Sequence, residues 1–128
     1  MAGRVEYDGP AMAEPGPLLD LDALLESVGG DRELLDEMAA TFIAEVPGWI
    51  TSLRAALESG QPEAVFRAAH GVAGAVGYFR AAGIRQRAAH LEAMGRAGRF
   101  DGASAQLDRL EADLHALSRL LGEAPWRL

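Results

Sequence analysis

The chain of 128 residues contains no cysteine and no lysine. Without cysteine there can be no disulfide framework, no thiolate metal site and no cysteine nucleophile. Without lysine, every fixed positive side chain is an arginine. β-Branched residues are sparse beside alanine, leucine, glutamate and arginine, which favours helices over strands. No apolar run approaches the ~20 residues that cross a bilayer. Glu6, Asp8, Pro10 and Glu14 interrupt any apolar core near the start, so a signal peptide is not expected. A glycine loop followed by Lys and Ser/Thr is missing, and so is HExxH, which removes the usual nucleotide-hydrolase and metalloprotease readings. A cytoplasmic protein is the expectation.

What remains is a globular composition, 49% hydrophobic and 24% charged, in a length that suits one domain. The formal charge of −7 would repel a nucleic-acid backbone or an anionic membrane, so neither is expected as a partner. The charge is uneven. Residues 18–60 hold nine acids and two arginines, whereas residues 61–100 hold six arginines and two acids.

Residues 1–17 carry three glycines and three prolines without a period and read as a flexible tail. Asp20 is placed to cap a short helix that stops at Gly29-Gly30. Asp31 is placed to cap a longer one, in which Leu34, Leu35, Met38, Phe42, Val46, Trp49, Ile50, Leu53 and Leu57 recur at helical spacing. Pro47 lies within that run and is expected to kink it, or to end one helix and begin another. Pro62 suits the first turn of a third helix reaching about Phe79. A fourth spans roughly 81–97 and ends at Gly98. A fifth follows Asp101, with Leu107, Leu110, Leu114, Leu117 and Leu121 inward. Short connections imply antiparallel neighbours. The expected fold is all-α: an antiparallel up-down four-helix bundle over 18–122 with a short additional N-terminal helix, and a C-terminal tail at 123–128.

One stretch of the third helix stands out. "AAHGVAGAVGYF" sets Gly71, Gly74 and Gly77 around His70, although a helical glycine costs about 1 kcal/mol relative to alanine. At about 100° per residue, Val65, Ala68, Ala69, Val72, Val76 and Phe79 fall on the side opposite His70 and form the core stripe. Glu63, Arg67, Gly74 and Gly77 lie near the histidine, flanked by Phe66 and Ala73. His70 is therefore a surface residue. Gly74 and Gly77 clear space through which another protein could approach its imidazole. Gly71 has no such explanation. His90 and His115 sit at the edges of apolar stripes, match no zinc spacing and read as solvated flanks.

With those residues in place, the sequence resembles the histidine-containing phosphotransfer (HPt) domains of two-component phosphorelays. The family motif is a histidine followed by two residues, a lysine, a glycine and further small residues ending in another glycine. "HGVAGAVGYFRAA" supplies the histidine as His70, the glycine as Gly74 and a further small residue as Gly77. "RQRAAHLEAMGRAGRF" is similar to the family's downstream leucine-glutamate segment. The chain departs from the motif at Ala73, where the family has lysine, and at Arg80, where it has glycine.

The resemblance implies a helical bundle whose surface histidine, His70, takes a phosphoryl group from a receiver-domain aspartyl phosphate and passes it to another receiver. Such a protein is a carrier rather than an autonomous enzyme. It needs no cofactor of its own, magnesium being supplied by the receiver. Its partners would be receiver domains of response regulators or hybrid histidine kinases, met by a monomer. Arg67, one turn before His70, could replace the missing lysine as the phosphate-stabilising cation, or pair with Glu63. Phe66, Ala73, Gly74 and Gly77 would form the docking face. Two other readings stand beside this one: a related module that docks receivers without carrying phosphate, and a helical interaction subunit in which His70 is incidental.

Overall fold

The structure, a computed structural model, describes residues 18–127. The tail read at 1–17 lies outside them. Five helices follow in order: α1 (Leu21–Ser27), α2 (Arg32–Ser59), α3 (Pro62–Tyr78), α4 (Ala82–Ala97) and α5 (Ala103–Gly122). No described helix is long and apolar enough to cross a membrane.

Local chemistry sets the helix ends. The Asp20 carboxylate accepts the Ala23 backbone N–H at 3.0 Å, and Asp31 does the same for Leu34, so each satisfies a donor that the first helical turn leaves open. Gly60 and Gly98 close α2 and α4 with φ of 68°, a backbone that costs glycine nothing. Pro62 opens α3, where a missing N–H is no loss.

Pro47 neither ends α2 nor divides it; the helix is continuous from Arg32 to Ser59. Phe42 and Val46 before it, and Ile50 and Leu53 after it, are all buried. Both halves share one buried face, and its packing outweighs the single hydrogen bond that proline removes.

Helices α2 to α5 form a ring, α2 packing on α3 and α5, and α4 on α3 and α5. The core between them is mainly aliphatic: Leu35, Leu53, Ile84, Leu107 and Leu114 are essentially inaccessible, and Phe42 and Phe79 pack edge-to-face within it. An ion pair lies inside it. Arg87 Nε on α4 donates to Asp113 on α5 at 2.8 Å, both buried. Burial pushes the Asp113 carboxyl above the usual carboxylate range, while the charge and hydrogen bond of Arg87 pull it down.

Residues 123–127 are not a tail. Pro125–Arg127 form a 3-10 turn packed against α1 and α2, with Trp126 at 2% exposure. The Trp126 indole N–H donates to Asp36 at 2.9 Å, Arg127 pairs with the same carboxylate, and Arg32 holds the Trp126 carbonyl at 2.7 Å. The start of the described chain docks too, Asp20 N–H donating to the Arg80 carbonyl in the α3–α4 turn.

Candidate functional site

Helix α3 presents its apolar residues to two neighbours, α2 on one side and α4 on the other. Val65, Ala69, Val72 and Val76 fill that contact. His70 is left on the outer face near the middle of the helix, its side chain 69% exposed.

The imidazole is exposed but not loose. Its Nδ1 lies 3.0 Å from Oε2 of Glu92 on α4. A carboxylate accepts and cannot donate, so the proton of the neutral ring sits on Nδ1 and the lone pair is left on Nε2. Nε2 has no partner among the described residues. Phe66, one turn earlier on α3, stacks against the ring with centroids 5.6 Å apart and planes 20° from parallel. Arg96 then covers Phe66, its guanidinium carbon 4.8 Å from the ring centroid. Arg96 also stands 3.7 Å from the Glu92 carboxylate, which is itself only 18% exposed on its side chain.

Close approach of the two helices makes this cluster possible. A Cβ at Gly95 would stand 2.6 Å from the Phe66 backbone nitrogen. No side chain fits there, so Gly95 is the glycine that lets α4 reach α3.

The glycines beside His70 differ. A Cβ at Gly71 or Gly74 would meet nothing within 4 Å. Gly74 is exposed, and with His70 it edges a groove of about 660 Å³ between α2 and α3 whose lining includes Leu34, Met38, Trp49 and Tyr78. Leu34 and Tyr78 are exposed large apolar side chains, Tyr78 at 73%. Gly77 has another use: the Arg85 side chain lies over it, 3.3 Å from where a Cβ would be.

Ala73, expected on the docking face, sits differently from the sequence reading. Ala73 is 8% exposed and belongs to the core, not to a docking face. The helical layout treated α3 as having one buried stripe, but contact with both α2 and α4 widens the buried arc to include it. For Arg67 the structure shows the second of the two expected arrangements, its guanidinium donating to Glu63 at 2.8 Å. Helical side chains all lean toward the N-terminus. His70 leans toward Phe66 and Arg67, and for the same reason Arg67 leans away toward Glu63. The pair is exposed on both sides, so it holds the arginine only weakly.

Glu92 and Arg96 were not singled out by sequence, yet a signal for them existed. Helices α3 and α4 run antiparallel about a tight turn, so residues equally distant from Ala81 oppose one another. Gly77 and Arg85, His70 and Glu92, and Phe66 and Arg96 are all such pairs.

An exposed histidine held by a carboxylate on the neighbouring helix, beside an open glycine face, matches the resemblance noted above. The Hpt domain family profile matches residues 37–120, about two thirds of the chain, a span that holds His70, Glu92, Phe66, Arg96 and Gly74. The chain belongs to the Hpt domain family. Its fold is similar to the crystal structure of histidine-containing phosphotransfer protein B (HptB) from Pseudomonas aeruginosa PAO1, with a TM-score of 0.79 and 23% sequence identity. That likeness covers 88% of this chain and 97% of the other. No curated protein is similar enough to match. As an Hpt domain, the protein falls among the phosphocarrier modules of two-component relays.

Proposed function

We propose that this HPt domain is a phosphorelay intermediate in which His70 accepts the phosphoryl group of a receiver-domain aspartyl phosphate and hands it to a second receiver. One observation carries the reading. His70 is exposed, and Glu92 holds its Nδ1, so that Nε2 keeps a free lone pair at the edge of an open groove.

Nε2 forms a bond to phosphorus as the bond from phosphorus to the aspartyl oxygen breaks. The aspartate leaves as a carboxylate. Nδ1 keeps its proton throughout, and the ring takes up a positive charge that faces Glu92. In the return step a second receiver's aspartate attacks phosphorus and the electron pair goes back to Nε2. The transition state is loose, with its charge on the phosphoryl oxygens, so the carrier needs chiefly an accessible, correctly turned ring. Magnesium and most of the electrostatic stabilisation come with the receiver. The groove beside Gly74, with exposed Leu34 and Tyr78, is the surface on which the receiver docks.

Incubation with phosphorylated receiver domains tests this. The wild type should gain acid-labile, base-stable phosphate and His70→Gln should gain none. A wild-type chain that binds receivers yet never carries phosphate would instead be a docking module.

A further inference from the structure

Ala73 leaves this chain without the cation that the family motif places three residues after the histidine. We infer that Arg96, on α4, takes that place and holds the phosphoryl oxygens on His70. The inference rests on His70 carrying phosphate.

The geometry selects Arg96 from the six arginines of residues 61–100. Arg67 is the nearest in sequence, but it leans away and bonds Glu63. Arg87 is buried with Asp113. Arg85 lies along Gly77, two turns beyond the histidine on α3. Arg80 follows the end of α3, and Arg99 follows the end of α4. Arg96 is different because α4 runs antiparallel to α3. Side chains on α4 lean toward its own N-terminus, which carries Arg96 from the level of Phe66 toward that of Glu92 and His70.

Two contacts record that lean. The guanidinium lies over Phe66, whose ring is stacked on the imidazole, and it stands 3.7 Å from the carboxylate that holds Nδ1. Its present partners leave it free to turn. The distance to Glu92 is long for a charge-assisted hydrogen bond, and the side chain is 70% exposed. A dianionic phosphoryl group on Nε2 offers it the stronger, bidentate partner. Phe66 then serves as the platform on which the guanidinium slides between the two.

Phosphoramidate tests the assignment without a receiver. Nε2 attacks its phosphorus, the P–N bond breaks and ammonia leaves. Wild type, Arg96→Gln, Arg96→Lys, Arg67→Gln and, as a charge-matched control outside the site, Arg99→Gln are phosphorylated and followed by phosphohistidine yield and ³¹P shift against pH. Arg96→Gln should slow phosphorylation roughly three- to tenfold, about 1.4 kcal/mol at the upper end. It should also move the phosphoryl titration to higher pH, because a nearby cation no longer favours the dianion. Arg96→Lys should recover part of both effects. The gap between wild type and Arg96→Gln should narrow as salt rises, which a purely structural role for Arg96 would not produce.

Wild type and Arg96→Gln with the same rate and the same ³¹P titration would overturn the inference while leaving His70 as the carrier. So would a loss confined to Arg67→Gln. A wild-type chain that takes phosphate neither from phosphoramidate nor from a receiver would overturn the proposed function and this inference together.

Discussion

Two glycines on facing helices do opposite things. Gly74 has open space where its Cβ would be, whereas Gly95 has the Phe66 backbone there. Gly74→Ala should therefore raise stability by up to about 1 kcal/mol, the helix-propensity difference, with the thermal midpoint level or higher. Gly95→Ala should lower the midpoint clearly, because the clash is with backbone and only a shift of α3 from α4 relieves it. Gly74→Leu should leave the fold intact and cut phosphotransfer by obstructing the groove. A destabilised Gly74→Ala would contradict the account of His70's open face. Arg80 poses a related question. It follows α3 with φ of 59°, a left-handed backbone that a glycine would adopt without strain. Arg80→Gly should thus raise the midpoint, by about 1 kcal/mol in stability if the lost side chain contributes nothing else. A lower midpoint would mean the arginine side chain stabilises the fold enough to offset its backbone.

Among the elements, the C-terminal turn is the one most open to a pH test. The Arg127 guanidinium, then the Trp126 indole N–H, hold the Asp36 carboxyl below its ordinary value of 3.8. A depressed folded value means that the charged form favours the folded state. The contribution of Asp36 is complete above 3.8 and is lost as pH falls through the depressed value. Acid titration of Trp126 fluorescence in a Trp49→Phe background should show the turn releasing in that low range. Asp36→Asn should lower the thermal midpoint at neutral pH and flatten its acid dependence. Identical acid curves for the two proteins would remove Asp36 from the clasp. This turn also shows where sequence reading stops. Helices α1 to α5 were legible from aspartate caps, glycine stops and periodic leucines. "EAPWRL" carries no period, and Trp126 is buried through packing against α1 and α2 and through hydrogen bonds to Asp36 and Arg32, some ninety residues away. Whether α2 ends at Pro47 or continues through it was not legible for the same kind of reason, since tertiary packing on both sides of it decides that.

The molecule as a whole joins an acidic bundle to one basic segment, and that segment carries His70. Its arginines sit on α3 and α4 and in the turns that follow them, where an acidic receiver surface would be drawn to the histidine. His70, Gly74 and the open face were legible from helical spacing, because they depend on one helix alone. Glu92, Arg96 and the burial of Ala73 depend on how α3 and α4 oppose each other, a register that only the α3–α4 turn fixes. The central claim joins both levels: α3 exposes the ring, and α4, through Glu92, leaves Nε2 as the nucleophile. The most direct measurement is long-range ¹H–¹⁵N and ³¹P NMR of histidine-labelled protein after phosphorylation. The account predicts a single phosphohistidine, His70, with phosphorus on Nε2. Phosphorus on Nδ1 of His70, or on His90 or His115, would contradict it.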